Sequence, residues 1–345
     1  MVGPLCIPTR RHSQSFSARP VMYLGSEVVR LTIGLALLVG CGARTEPWID
    51  DAPVAPAGPC TPSSPEVFAD AQVRVLAVDG RVLWVMLGGG GFEVAPVDTE
   101  TGVARGSAVW WTSSGFRDFA GTVGRAERRG DARVLADGLF QPGGVQHDGR
   151  RLFFAEWTNS GRPVDEGRGR ILRIDPDGGT LVELATELGL PTDTALAGKH
   201  VYWADRRRDH VARVHRDGGA VEVAAEAPSV EGALAALDRR VFFAIRTGRN
   251  DSAVSSLDVT SSTVTELATL DRETRGIVAI RSGLILQLWD GDGGGGSLAF
   301  LPFGRAERVT LDDDGGAIAV DDRHAYWGRA EEGLVRVCLD YFDTL

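Results

Sequence analysis

From residue 66 onward, apolar positions recur every second residue in short runs, and the runs stop at Gly/Asp clusters. In GRGRILRIDPDGG (167–179), Ile171, Arg173 and Asp175 alternate with Leu172 and Ile174. In HVARVHRDGG (210–219), Val211, Arg213 and His215 alternate with Ala212 and Val214. Period two closed by Asp-Gly turns predicts antiparallel hairpins. The turns themselves, VDG, HDG, PDGG and RDGG, use residues that tolerate the positive φ of tight connections. No long helical apolar pattern occurs after residue 45.

These runs belong to a repeat. HVYWADRRRDHVARVHRDGGAVEVAAE (200–226) is echoed by RLFFAEW…GRGRILRIDPDGGTLVELATE (151–187), by the segments at 108–138 and 240–270, and by RHAYWGRAEEGLVRVCLD at 323–340. Aromatic pairs mark the same place in each unit: Trp110/Trp111, Phe153/Phe154, Tyr202/Trp203, Phe242/Phe243 and Tyr326/Trp327, with LILQLW (284–289) a weaker version. A unit of about 40–50 residues with four strands predicts a β-propeller blade. Its order is an inner strand such as GGVQHD, the aromatic strand, the strand before DGG, and an outer strand such as VELAT.

Tyr202-Trp203-Ala204-Asp205 resembles the YWTD blade motif, and Trp111-Thr112-Ser113 is a looser echo. On these residues the chain from 66 to 345 resembles the YWTD/NHL class of six-bladed, TolB-like propellers. The resemblance implies an all-β ring of four-stranded antiparallel blades, with six favoured. Residues 73–137 hold about six strands, one and a half blades' worth. Either one blade carries a hairpin insertion near 91–113, or there are seven blades with two of them shortened. Glu66-Val67-Phe68-Ala69-Asp70 resembles the outer-strand segment VLAD (134–137), while the last unit lacks an outer strand. Residues 66–70 are therefore expected to pair antiparallel with 334–339 and close the ring.

The N-terminus points to export. Residues 31–39, LTIGLALLV, form a nine-residue apolar run after Arg30. That is shorter than the ~20 residues of a membrane-spanning helix and suits a signal peptide. Leu38-Val39-Gly40-Cys41 resembles a bacterial lipoprotein lipobox, which implies removal of residues 1–40 and lipidation of Cys41. Residues 1–21 exceed a normal leader, so translation from Met22 is the alternative start. Gly42, in place of Asp, favours the outer membrane. Residues 41–65 are rich in Pro and Ala and read as a tether. With Cys6 in the leader and Cys41 lipidated, Cys60 and Cys338 remain, and closure of the ring brings them together in an oxidising compartment.

The formal charge is −10, and the leader is basic, so the body is more acidic still. An acidic body disfavours nucleic acid. No G-x-S-x-G, H-E-x-x-H, C-x-x-C or phosphate-loop motif occurs. The glycine runs at 88–91 and 290–296 lack the Lys-Ser/Thr and helix of a phosphate loop. Asp290 and Asp292 open like a calcium loop, but Leu301 stands where the bidentate Glu belongs. Ca2+ is thus the one cofactor considered, and none is expected. Asp312-Asp313-Asp314 reads as a turn. His200, His210 and His215 are not expected to form a metal site, since 200 and 215 are placed at opposite ends of different strands.

In a propeller the second-to-third-strand loops and the between-blade loops share one face. Here that face gathers long polar loops at 157–168, 205–209, 246–251, 290–296 and 328–332. Variable loops on a rigid ring are where binding residues sit. The candidate binding residues are Trp157, Asn159, Arg162, Asp205, Arg206, Arg207, Arg208 and Arg249. Propeller lactonases, within the resembled class, imply a metal held by Glu156, Asn159 and Asp205 as the alternative. The expected function is a monomeric, non-enzymatic envelope lipoprotein that binds a protein, glycan or peptide; the alternative is a metal-dependent hydrolase or lyase. Intact-mass analysis and non-reducing peptide mapping of membrane-extracted protein should show a lipid-modified Cys41 and a Cys60–Cys338 bond. Cys41→Ser should release the chain from the membrane fraction. A wild-type protein that is soluble, retains residues 31–40 and carries free thiols would refute both expectations.

Overall fold

The computed structural model describes residues 22–24, 27–29, 66–69, 73–79, 82–87, 93–98, 108–113, 121–127, 133–157, 169–289, 296–320, 323–329 and 333–345. Side chains are described for 121–125 and from 133 on, apart from 317, 333 and 334. The chain divides into two units, Met1–Ala55 and Pro56–Leu345. The first contains an antiparallel hairpin, Met22–Leu24 with Glu27–Val29. Among the described residues the second is all-β apart from the short C-terminal helix Leu339–Phe342.

Among the described residues of the second unit, five sheets have four strands and two have three. One complete blade runs Pro191–Ala197, His200–Asp205, His210–His215, Glu222–Glu226, in spatial order as in sequence. The blades at 142–188, 230–270 and 273–312 repeat it. First strands of successive sheets lie side by side around the ring, from Pro142–His147 to Gly315–Val320, then Val73–Asp79, Ala108–Ser113 and back. The first strands of the complete blades each carry a register shift near their start, such as between Pro191 and Thr194 or Gly315 and Ile318.

The fifth complete blade closes the ring as the sequence predicts. Gly315–Val320, His324–Arg329 and Gly333–Cys338 take Glu66–Ala69 as their fourth strand, antiparallel, with Leu334 opposite Ala69 and Arg336 opposite Glu66. Among the described residues the surplus strands of 73–139 divide as three and three. Val73–Asp79, Val82–Leu87 and Glu93–Asp98 form a three-stranded sheet among the described residues. Ala108–Ser113, Gly121–Glu127 and Arg133–Leu139 form another, in which the aromatic strand is the first described.

The aromatic pairs explain why the sheets stack. Phe153/Phe154, Tyr202/Trp203, Phe242/Phe243 and Tyr326/Trp327 are all fully buried. Neighbours along a strand point to opposite faces, so each pair serves two interfaces. Tyr202 packs with Val241 and Phe243 of the following blade, whereas Trp203 packs with Phe153 and Ile171 of the preceding one. Phe242 in turn meets Leu284 and Leu286. Each such side chain contributes about 1.5–3 kcal/mol by burial.

Ion pairs add to this packing at the tight-turn face. Asp217, in a turn whose Gly218 and Gly219 have φ of 94° and 137°, accepts Arg151 of the preceding blade at 2.5 Å, with Arg173 3.7 Å away. Asp177, in the equivalent DPDGG turn, meets Arg125 and Arg133 of the sheet before it. Cys338 is buried and disulfide-bonded. Cys60, its expected partner, lies outside the described residues, as do Cys41 and the remainder of the leader and tether.

Trp203 and Trp327 occupy equivalent places but differ in one bond. Trp327 Nε1 donates to Asp312 Oδ2 at 2.7 Å, while Trp203 Nε1 has no partner among the described residues. Trp327→Phe should therefore destabilise more than Trp203→Phe, by about 1 kcal/mol or more. Denaturant midpoints of the two variants check this, and equal losses would contradict it.

Candidate functional site

Among the described residues, the 205–209 loop and the strand end at Arg246 share a face with the between-blade connections, because they hydrogen-bond to them. Arg206 N–H donates to Leu190 O (3.1 Å), Ala227 N–H to Asp209 O (2.9 Å) and Arg246 N–H to Ser229 O (2.9 Å). Asp209 Oδ1 also accepts Ser229 N–H at 2.8 Å. The 205–209 loop thus rests on the connections that enter its own blade and the next, and Arg246 on the connection that enters its own.

The two carboxylates of the metal reading sit where the aromatic strands reach this face. Asp205 is fully buried. Its Oδ2 accepts Gly189 N–H (2.9 Å), and its Oδ1 accepts the N–H groups of Leu190 (2.9 Å), Arg207 and Arg208 (both 3.2 Å). A Cβ on Gly189 would collide with this carboxylate, so the close approach requires glycine. Glu156, also buried, accepts Phe140 N–H at 3.0 Å and Arg170 Nη2 at 2.6 Å. Both carboxylates are engaged as struts between a blade and its incoming connection. Asn159 lies outside the described residues, as do Arg162, Asp290 and Asp292. Among the described residues no group of three or more His, Cys, Asp or Glu is placed to hold a metal ion.

Asp205 fixes the backbone of the arginine run. Arg206, Arg207 and Arg208 are exposed, and Arg208 reaches back to Glu187 O. Arg249 is exposed on the next loop, and Trp157 is half-buried at its strand end. The run is therefore a presented feature on a rigid base.

Sequence reading missed the polar groups at the start of the first strands. Glu231 is buried, accepts Arg246 Nε (3.1 Å) and Thr274 N–H (3.2 Å), and is held above the usual carboxylate range by that burial. Arg246 also lies 3.5 Å from Glu273, which pairs with Arg275 at 3.2 Å. Arg275 in turn covers the Trp289 ring at 4.3 Å. Asp312, read from sequence as part of a turn, accepts Trp327 and, at 2.6 Å, Arg329 Nε. For Glu231 the signal was an isolated charge in an otherwise apolar strand, VEGALAAL.

Asp193 bridges three first strands. It accepts Thr194 N–H (2.8 Å) in its own strand and Leu234 N–H (3.4 Å) in the next. Its carboxylate occupies the space where a Cβ on Gly144, of the preceding blade, would stand. Desolvation there pushes its pKa up to about 7, against the backbone donors that lower it.

The histidines are placed differently from the expectation. His200 and His215 are direct cross-strand partners, with ring centroids 5.7 Å apart, while His210 sits at the other end, opposite Asp205. Antiparallel pairing reverses direction, so the start of one strand lies beside the end of the next. The three still do not converge.

No protein-family model matches the chain, and no curated protein matches it in sequence. Solved structures do. The chain is similar to virginiamycin B lyase from Staphylococcus aureus at 14% identity and TM-score 0.55, covering 80% of this chain and 98% of that one. It is similar to the β-propeller domain of the Trilobed protease from Pyrococcus furiosus at 10% identity and TM-score 0.55, covering 77% and 92%. A chain of the nidogen/laminin complex matches at 14% identity and TM-score 0.51, covering 68% and 91%. At these identities the likeness establishes the fold: this is a β-propeller protein.

Asp193 predicts a pH dependence. Its folded pKa lies above the unfolded value near 3.8, so its contribution is fully present below about pH 4 and is lost as pH rises through about 7. Denaturant midpoints should fall across that window, and Asp193→Asn should remove the fall. The size expected is about 4 kcal/mol, at roughly 1.4 kcal/mol per pKa unit over a rise from 3.8 to about 7. An unchanged pH profile in the variant would show that other groups set it.

Proposed function

We propose that this protein is an exported, lipid-anchored propeller that works as a non-enzymatic binding module through its loop face. The carrying observation is a contrast at that face. The carboxylates of the metal reading are engaged by the fold's own donors, whereas Arg206, Arg207 and Arg208 are exposed on a backbone that Asp205 fixes, with Arg208 also donating to Glu187 O. A preformed cationic loop on an acidic body suits a partner that presents anionic groups, on a protein, a peptide or a glycan. The acidic body itself disfavours nucleic acid. Anchoring through Cys41 at the outer membrane, with residues 41–65 as tether, would hold the monomeric ring near such partners. A Cys60–Cys338 bond would fasten the tether to the closing blade. The metal-dependent hydrolase or lyase alternative draws support from fold likeness to lyases alone.

Replacing Arg206, Arg207 and Arg208 together with Ala tests the reading. Stability should change little, since exposed charges contribute roughly 0–1 kcal/mol each. Binding to an acidic peptide or a sulfated glycan, measured at low and physiological salt, should weaken at least ~10-fold. Unchanged binding would refute the cationic face. A large loss of stability would show that the arginines are structural. Metal-dependent turnover abolished by Glu156→Gln would favour the enzyme.

A further inference from the structure

The first strands lie side by side and run in one direction, so the turns that follow them form a ring at one end of the propeller. The third-to-fourth turns meet that ring. Arg216 N–H donates to Lys199 O, Val259 N–H to Arg239 O and Phe303 N–H to Ser282 O, each at 2.9 Å. This tight-turn end lies opposite the loop face, since His200 pairs with His215 here and Asp205 with His210 there. The described chain enters the closing blade at the same end. Glu66 stands opposite Arg336, just before Cys338, and the strand then runs toward the loop end, with Ala69 opposite Leu334.

In four consecutive blades the first-to-second turn carries a cation that the fold does not use. Arg150, Lys199, Arg239, Arg240 and Arg281 are exposed, and none makes an ion pair among the described residues. Asp238 is the one exposed acid described in those turns. In the third-to-fourth turns, Asp177 and Asp217 are already engaged by arginines, and Asp258 by the amides of Thr260 and Ser261. Exposed Asp175, Glu307, Asp340 and Asp343 oppose the cations in part, and Asp321 and Asp322 lie outside the described residues. An apolar fringe accompanies the charge. All four exposed large apolar side chains of the described residues, Val134, Val221, Val223 and Val264, stand at the starts of outer strands, where these turns return to the sheets.

We propose that the tight-turn end of the ring docks on an anionic lipid bilayer, with the turn cations over the headgroups and the valines at the rim. The cations belong to short turns on parallel strands, so they stand at one level around the axis. That arrangement suits an extended negative surface better than a compact solute. An anchor at Cys41 would bring the bilayer to the end at which the chain enters, and would leave the loop face turned away from it. The inference extends the proposed anchoring, but the contact itself needs no lipid on Cys41.

Co-sedimentation of the chain from residue 41, carrying Cys41→Ser, with vesicles tests the surface independently of lipidation. The vesicles are phosphatidylcholine alone or mixed with phosphatidylglycerol. Binding is expected only to the anionic vesicles and should fall steeply between low and physiological salt. Each cation near a charged bilayer contributes a factor of ~5. Arg239→Gln with Arg240→Gln should therefore weaken binding ~25-fold, and Lys199→Gln, on another blade, ~5-fold. Arg275→Gln, which changes an exposed arginine at the loop end, should leave it unchanged. Melting temperatures near that of the parent chain separate loss of contact from loss of fold. The proposal is overturned if neither vesicle is bound, if both are bound equally, or if the folded Arg239/Arg240 variant keeps full affinity. It is also overturned if a soluble polyanion binds this end while anionic vesicles do not. Loss of vesicle binding only when Arg206, Arg207 and Arg208 are replaced would move the bilayer to the loop face, which overturns this orientation while leaving the cationic loop intact as a binding surface.

Discussion

Each blade of this ring must bury both of its faces, and most of the structure follows from that requirement. A sheet with one wet face can alternate apolar and polar residues; a sheet between two others cannot. The second strands meet the demand with consecutive aromatic or aliphatic residues, one for each neighbour. Tyr202 and Trp203 belong to two different clusters although they are adjacent in sequence. Polar chemistry is thereby pushed to the strand ends, where the loops are, and to the first strands around the axis.

At the strand ends the repeat breaks down into local solutions. Asp205 and Glu156 tie their blades to the incoming connection, the first through the Gly189 and Leu190 amides and the second through the Phe140 amide, while Asp205 also holds two amides of its own loop and Glu156 an arginine of its own blade. In the 230–270 blade the corresponding strand ends in Arg246, and a glutamate from the first strand answers it. In the closing blade Asp312, from the preceding sheet, serves a tryptophan and an arginine at once. The ring keeps one backbone plan while each junction solves its own hydrogen-bonding problem. A charged residue at a repeated position is thus evidence of a strut before it is evidence of a site.

Much of the fold was legible because it depends on local patterns. Period-two alternation, Asp-Gly turns and aromatic pairs each act within a few residues. The echo of VLAD in Glu66–Ala69 identified the closing strand for the same reason. What sequence reading missed depends on pairing across strands or blades. The His200/His215 contact follows from strand reversal around a four-residue loop, not from spacing along the chain. The bridging place of Asp193 needs the bulges of adjacent first strands to be known. The division of the surplus strands of 73–139 into two sheets of three described strands turns on which partner each strand finds. Of the candidate site, the common loop face was readable, but the engagement of Glu156 and Asp205 was not, since their donors are backbone groups that no side-chain motif records.

The closing blade has a consequence for how the chain reaches its folded form. Its outer strand comes from the first strand of the ring and its other three from the last, so the two ends of the domain are hydrogen-bonded partners. During synthesis the 66–69 segment emerges first and has no partner until nearly the whole domain has followed. Until then the ring is an open arc whose two end sheets each leave a face uncovered. Loop closure over such a span comes late and slowly. The intermediate blades can assemble in sequence, neighbour on neighbour, but the molecule acts as one cooperative unit only after its last residues arrive. A chain that stops short of residue 333 would release both ends together, like a belt cut at its buckle.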